Sequence, residues 1–525
     1  MRNVLSELWK RNSDIYGDKI MLSDITSEQN YTYREFFNQA EQLAKGLIGY
    51  GIKKGEHIGL LSRNSAEWLL VFAATTEIGC VLTMLNTALG EQELISSMKH
   101  ADVKYLFAEE EMLQLLNEDK SEDFELLEDI TEKTGNVTQD IFLLDSYNFG
   151  YEHHIDYIYE YGRFTSMLNL KQRKEQVEES DVATIQFTSG TTGNPKAVQL
   201  TQKGIVKDET RNAAYFGYSS DDKMVLGTPL FHILGYAACF IPIVLSGARL
   251  YIMRKFSTTK TLQTIEQEKC TAFCGVPTLY QFLCEKSSNF QISSLRFGIV
   301  AGALCSEDLV KKIFTSLRIR RLENYYGQTE TLTVGAASFL KNEKVYNKGF
   351  KMMDGINFKI LDLHTRKSVK SGKQGELIIQ SDSAMPGYYK NDEATKKTIK
   401  DGWLYTGDLA VMDENGLVYV KGRMGDTIIR GGENISATEV ENQIMRHPMV
   451  KTAAVLGVPD KIYGQEVCAF VMLHNGEKMS KEELLEFLKE NSGNKIPKFV
   501  HFVREFPYTA SGKVQKFKLL EMSKI

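Results

Sequence analysis

Residues Phe187–Val198 read FTSGTTGNPKAV. Four hydroxyls (Thr188, Ser189, Thr191, Thr192), two glycines (Gly190, Gly193) and, after Pro195, the lysine Lys196 share one short stretch. Glycine lets a backbone approach a ligand closely and adopt positive φ. Successive N–H groups of such a loop can converge on an anion. Hydroxyls and an ammonium group add donors suited to phosphate. Each residue alone reads equally well as a turn former. Together they point to a loop that holds phosphate. The string is not a Walker loop, which needs Gly-x-x-x-x-Gly-Lys-Ser/Thr, because Lys196 follows Pro195 and precedes Ala197. A P-loop kinase or motor is therefore not indicated.

The chain around this loop has 525 residues, enough for two or more domains. With 42% hydrophobic and 25% charged residues it falls in the globular class. A net charge of −5 gives no basic footprint, so nucleic acid is not an expected partner. Nine prolines argue against long disordered linkers. The seven cysteines are scattered, and Cys270 and Cys274 have neither zinc-ribbon nor Cys-x-x-Cys spacing. Reduced core thiols in a cytoplasmic protein are the simplest reading. The N-terminal MRNVLSELWKRNSDIYGDK carries charges throughout and lacks a signal-peptide core. Two apolar stretches, WLLVFAATTEIGCVLTML and GYAACFIPIVLSGARLYIM, are interrupted by Glu77 and Gly79, and by Pro242, Gly247 and Arg249. Each reads as a buried helix running into a buried strand, with no integral membrane segment.

Strand-like runs alternate with helical patterns through most of the chain. HIGLLS precedes AEWLLVFAATTEIG, ARLYIM precedes TTKTLQTIEQEK, TAFCGVP precedes TLYQFLCEK, and FGIVAG precedes SEDLVKKIFTSL. This rhythm predicts βαβ units and parallel sheets. From about Gly375 the texture changes to short alternating strands, GELIIQS, LYTGDLAVMD and GLVYVKGR, with a turn at Glu414-Asn415-Gly416. A final stretch reads helix, strand, strand, helix: ATEVENQIMRHPMV, KTAAVLGV, EVCAFVML, SKEELLEFLKEN. The expected fold class is α/β. A large N-terminal domain (1–422) of parallel-sheet βαβ layers with a small barrel-like β part precedes a small mobile α+β domain (423–525), with a hinge near 423–426.

Further strings stand in a fixed order after the loop: PLFH (Pro229–His232), NYYGQTE (Asn324–Glu330), YTGDL (Tyr405–Leu409), KGRMGDTIIRGGEN (Lys421–Asn434) and YTASGKVQK (Tyr508–Lys516). In this order and at these separations the chain resembles, over essentially its whole length, the adenylate-forming (AMP-binding) superfamily. That superfamily includes acyl- and aryl-CoA synthetases, peptide-synthetase adenylation domains and beetle luciferases. The resemblance implies two half-reactions. A carboxylate attacks the α-phosphorus of ATP and pyrophosphate leaves. A thiol then attacks the acyl carbon of the adenylate and AMP leaves.

The resemblance also implies roles for particular residues. The loop Thr188, Ser189, Gly190, Thr191, Thr192, Gly193 and Lys196 wraps the β- and γ-phosphates. Thr329 contacts phosphate, and Glu330 is the Mg²⁺ ligand, a hard oxygen donor of the kind this ion prefers. Tyr326 stacks on adenine and Asn324 lies near its exocyclic amine. Tyr325, Gly327 and Gln328 belong to the same string, while Gly302 and Ala303 line the other side of the base. Asp408 accepts from the ribose hydroxyls, and Arg423 also reaches the ribose. Lys513 bridges carboxylate and α-phosphate during adenylation, where a positive point charge suits the developing negative charge. His232 guards the carboxylate site. In the second pose Gly431 and Gly432, within Arg430–Asn434, build the pantetheine tunnel. Each position, taken singly, also reads as a core, turn or solvated residue.

Four positions depart from the family pattern: Gly425 where Asp or Lys is usual at the hinge, Ala197 for Gly, Gln202 for His, and Leu304 for Pro. The expected activity is an ATP-dependent carboxylic acid:CoA ligase of the AMP-forming acid–thiol type, using ATP, Mg²⁺ and coenzyme A on a fatty or aromatic acid. The alternatives are a stand-alone adenylating enzyme that loads a separate phosphopantetheinyl carrier protein, and a nucleotide-binding protein without catalysis. Pocket walls are expected from Ile233–Tyr236, Val276–Thr278 and Ala301–Ala303. With no acidic residue placed there to pair an amino group, an amino-acid substrate is disfavoured.

Overall fold

The computed structural model describes the whole chain except residues 1, 117–122, 189–195, 304, 342, 344–347, 431–432, 493–495, 509–513 and 523–525. The chain divides into two compact units. The first comprises residues 1–346, 353–356 and 380–402; the second comprises 347–352, 357–379 and 403–525.

The first unit is built on two mainly parallel sheets. One runs in the order Asp140–Leu143, Tyr105–Ala108, His57–Leu61, Val81–Met84, Val182–Thr188, Lys196–Thr201. Its first five strands are parallel and the last pair is antiparallel. The other contains Arg321–Gln328, Phe297–Val300, Ala272–Gly275, Lys223–Leu226, Arg249–Ile252 and Ile20–Asp24, all parallel to their neighbours. Antiparallel strands flank it at Leu332–Leu340 and Gln29–Thr32. Most of the parallel strands are short, largely apolar runs such as His57–Leu61, Val81–Met84 and Phe297–Val300, as strands covered on both faces tend to be.

The two long apolar stretches are buried as helix-then-strand. Eleven of the twelve residues of helix Ala66–Glu77 are buried, and strand Val81–Met84 follows it. Helices Ile233–Gly235 and Ile241–Ser246 are joined by a π-helical turn, Tyr236–Phe240, and lead into Arg249–Ile252. The rings of Trp9, Phe36, Phe37, Phe72 and Phe240 pack together at centroid distances of 5.2–6.3 Å. Among the described residues no helix is long and apolar enough to cross a membrane. All seven cysteines are free thiols.

In the second unit, Gln374–Gln380, Trp403–Met412 and Val418–Arg423 form antiparallel pairs. Gly416 takes up φ 79° in the turn that joins the last two. The C-terminal part is α+β. The strands Val450–Asp460 and Gly464–Leu473 are antiparallel, and Phe499–Phe502 adds in parallel. Val440 and Ile444 of helix Ala437–Ile444 meet Val455, Val467, Leu484 and Leu488 in one core.

Candidate functional site

In the first unit the sequence-predicted residues gather at the carboxyl ends of adjacent parallel strands. Such a position leaves a crevice for ligands because the connecting loops diverge there. The segment Gly227–His232 follows strand Lys223–Leu226, and Val276–Thr278 follow Ala272–Gly275. Gly302 and Ala303 follow Phe297–Val300, and Val300 is in register with Asn324. Gly302 has φ 85°, a left-handed turn that glycine adopts without cost. Asn324 is buried and Tyr326 half-buried on strand Arg321–Gln328.

Alternation along that strand sends Tyr325 to the opposite face. Its ring packs edge-on against Phe216 at 5.6 Å, and burial pushes its hydroxyl pKa well above the ordinary value. Gly327 has a packing reason: a β-carbon there would overlap the carbonyl oxygen of Leu332 on the neighbouring strand. Leu332 itself is buried at φ 57°, an outlier for a bulky residue. The hairpin that presents Gln328, Thr329 and Glu330 is thus tight and strained. Thr331 supports it: its Oγ1 accepts from the Gln328 N–H at 3.1 Å.

Thr188 ends its strand and is in register with Lys196, which begins the next. The phosphate loop is therefore the connection of an antiparallel pair; Ser189, Gly190, Thr191, Thr192 and Gly193 lie outside the described residues. Lys196 Nζ sits over the ring of Tyr388, 5.0 Å from its centroid. The Tyr388 hydroxyl donates to Glu330 Oε1 at 2.9 Å. The main chain repeats this connection. Met385 N–H donates to the Glu330 carbonyl at 2.8 Å, and Tyr389 N–H donates to the Ala197 carbonyl at 2.8 Å. The segment 385–389 thus ties the strand after the phosphate loop to the Glu330 turn. Sequence reasoning passed over it. MPGYYK reads as a turn, and the only signal for a site was two tyrosines directly after Pro-Gly.

His232 caps helix Ile233–Gly235, and its Nδ1 accepts from the Leu234 N–H at 3.2 Å. In the neutral ring the hydrogen is therefore on Nε2. The loop before it is pinned from other elements. Asn64 Oδ1 accepts from Leu230 N–H at 2.7 Å, and Gln186 Nε2 donates to the Phe231 carbonyl at 2.5 Å.

Behind the Glu330 hairpin lies helix Gln202–Phe216. Asp208 accepts from the Thr333 N–H at 3.1 Å and pairs with Arg211. Arg211 also reaches the Ser383 hydroxyl at 3.1 Å. Burial raises the Asp208 pKa to about 6, opposed by Arg211. Burial, with Asp208 alongside, holds Glu209 well above the ordinary range.

In the second unit Asp408 and Arg423 are register partners on adjacent strands. Arg423 Nε lies 2.8 Å from Asp408 Oδ1, and Nη1 donates to the Thr406 carbonyl at 3.2 Å. Gly407 precedes the aspartate at φ 70°. Gly425 falls in a single 3₁₀ turn, Met424–Asp426. Strands Thr427–Arg430 and Glu433–Ser436 pair Arg430 with Glu433; Gly431 and Gly432 lie outside the described residues. Lys513 and Leu304 also lie outside the described residues.

Glu330 is a carboxylate that a divalent cation could use. No group of three or more His, Cys, Asp or Glu among the described residues could hold a metal by itself. This donor set fits Mg²⁺, which commonly binds through one or two carboxylates plus substrate phosphates and water.

A two-sheet α/β unit whose candidate residues gather at the carboxyl ends of parallel strands, and a smaller α+β part, define the class: the adenylate-forming enzyme fold. The chain belongs to the AMP-binding enzyme family, whose profile matches residues 9–389, with the AMP-binding enzyme C-terminal domain matching 439–513. It is 33% identical to the putative acyl-CoA synthetase YngI of Bacillus subtilis, over 99% of this chain and 97% of that protein. It is 31% identical to the medium-chain acyl-CoA ligase ACSF2, mitochondrial, of Rattus norvegicus, over 93% and 82% respectively. Among solved structures, the anthranilate CoA ligase AuaEII in complex with anthranoyl-AMP superposes with a TM-score of 0.85 at 25% identity, covering 99% of this chain and 97% of that one.

Proposed function

We propose that this chain is an AMP-forming carboxylic acid:CoA ligase acting on a fatty or aromatic acid. The observation that carries the reading is the meeting of Lys196, Tyr388 and Glu330 at the mouth of the phosphate loop, in a chain whose quoted relatives are named CoA synthetases and ligases over most of their length. Those names give no support to the carrier-loading alternative.

In the first half-reaction a carboxylate oxygen forms a bond to the α-phosphorus, and the bond to pyrophosphate breaks. Two anions must approach, so the chain has to supply positive charge where charge accumulates. Lys196 and the loop hydroxyls are assigned to the leaving pyrophosphate, Thr329 to phosphate, and Lys513 to the carboxylate and α-phosphate. Glu330 would hold Mg²⁺, which supplies charge to the triphosphate oxygens. Tyr326, Asn324, Gly302 and Ala303 are assigned to adenine, and Asp408 and Arg423 to the ribose. In the second half-reaction the CoA sulfur bonds to the acyl carbon and AMP leaves; Gly431 and Gly432 are assigned to the thiol path and His232 to the carboxylate site. The proposed pivot between the two poses lies at 423–426, separating 1–422 from 423–525.

ATP–pyrophosphate exchange with a panel of straight-chain and aromatic acids tests the first step, and CoA-dependent AMP release tests the second. Exchange without thioester would favour a carrier-protein acceptor. No exchange with any acid would overturn the ligase reading.

A further inference from the structure

We propose that Tyr388 is a positioning residue that holds the phosphate-binding lysine and the metal-binding carboxylate apart and in place before nucleotide arrives. The inference rests on the ligase reading for the identity of the ligands. Its geometry comes from three side chains. The ring of Tyr388 lies beneath Lys196 Nζ at 5.0 Å, and its hydroxyl donates to Glu330 Oε1 at 2.9 Å. Tyr388 is 5% exposed, and the two strand-like connections of its segment fix its backbone to both partners.

An ammonium and a carboxylate facing one crevice would ordinarily pair with each other. Here the described residues show no ion pair between Lys196 and Glu330; a tyrosine stands between them. The ring face attracts the cation without neutralising it, so an incoming phosphate can take the cation over. The phenol donates to one oxygen of Glu330 and so fixes where that carboxylate sits. One side chain therefore serves both charges through two different groups, and the two services can be separated by substitution. Tyr388→Phe keeps the ring and removes the donor. Tyr388→Leu removes both.

The backbone around Tyr388 gives it little freedom. Its N–H donates to Thr395 Oγ1 at 2.9 Å, and a β-carbon on the preceding Gly387 would meet Thr395 Cγ2 at 2.8 Å. Gly387 also offers its carbonyl to the Gln199 N–H at 3.3 Å. The tyrosine is thus presented from a strap whose packing permits only glycine before it.

The experiment uses the full chain and measures three quantities for each variant: the Mg²⁺ dependence of ATP–pyrophosphate exchange, KM for ATP, and single-turnover thioester formation from pre-made acyl-adenylate, which involves no triphosphate. Calorimetric titration of MgATP without acid is run alongside. For Tyr388→Phe the expected result is a half-saturating Mg²⁺ concentration raised about tenfold, the scale of one hydrogen bond to a charged group, with KM for ATP less affected. Tyr388→Leu is expected to raise KM for ATP as well. Both should form thioester from acyl-adenylate at the parent rate. In a Glu330→Gln background, Tyr388→Phe should add little, because the bonded carboxylate is already gone. Parent-like Mg²⁺ dependence in Tyr388→Phe overturns the proposal. So does a loss shared equally by both half-reactions, which marks a merely structural tyrosine. A parent chain that binds no MgATP overturns the ligase reading as well, whereas a working parent with an indifferent Tyr388→Phe overturns the Tyr388 proposal alone.

Discussion

Under the proposed function, Lys513 and Glu330 serve the two ends of one electrostatic problem: a carboxylate must approach a triphosphate. Lys513→Ala is expected to cut adenylation by roughly 10²–10³, the loss typical of one preorganised stabiliser. Thioester formation from pre-made acyl-adenylate should be nearly spared, since no triphosphate is involved. Single-turnover measurement of each half-reaction checks this, and equal losses would remove Lys513 from a step-specific role. Glu330→Gln keeps size but removes the charge that suits a hard cation. It should raise the Mg²⁺ concentration needed for pyrophosphate release, and an unchanged requirement would exclude Glu330 as a ligand.

Helix Gln202–Phe216 carries the prediction at the scale of an element. In sequence, QKGIVKDETRNAAYF looks like a helix with a solvated charged face. In the fold, Asp208 and Glu209 are fully buried, and Asp208 holds the strand that follows the Glu330 turn. The folded chain binds the Glu209 proton more tightly than the unfolded chain, whose glutamate titrates near 4.5. The stability from that proton is complete below 4.5 and is lost as pH rises toward the folded pKa. Glu209→Gln removes this dependence and keeps a donor beside Asp208. Its melting temperature should therefore gain on the parent at pH 8, on the order of 2–4 °C, and gain less or nothing at pH 5. An equal change at both pH values would show that Glu209 titrates normally. This helix also marks where sequence reading ends. Strand–helix alternation was visible from Ile58 to Ser316 because local periodicity and burial agree there. The buried acids were not visible because Thr333, which donates to Asp208, and Ser383, which holds Arg211 beside it, arrive from more than a hundred residues away. Tyr388 was missed for the same reason: Glu330 and Lys196 meet it only through the fold. The π-helical turn Tyr236–Phe240 was also hidden, since an apolar run with Pro242 gives no sign of an extra residue per turn. The strings at 229–232 and 324–330 stood out through their order and separation along the chain, and their roles came from the family resemblance, since each alone also reads as core or turn.

For the molecule as a whole, the question is how one chain would serve the two proposed half-reactions in succession. The proposed pivot is the 3₁₀ turn Met424–Asp426, entered from Arg423 in extended conformation and closed by Thr427 N–H on the Met424 carbonyl. Contacts reach across it within the second unit. Ser436 Oγ donates to the Lys421 carbonyl at 2.9 Å, and Lys516 Nζ lies 3.7 Å from Asp426 in the turn itself. A rotation at 423–426 has to break or carry these contacts, so the backbone at Gly425 must be free to change φ and ψ cheaply, which glycine allows. Proline at 425 would fix φ near −65° and disfavour the helical region for Met424. Gly425→Pro is therefore expected to leave adenylation near the parent rate and to slow thioester formation by at least about tenfold, as restricted domain motions do when they come to limit turnover. Rapid-quench measurement of both half-reactions, with melting curves to show that the variant is folded, decides it. A variant that converts acyl-adenylate to thioester at the parent rate moves the pivot off Gly425 to another position between Lys421 and Arg430. There the pairing of Arg430 with Glu433 limits the available freedom to the residues before Thr427.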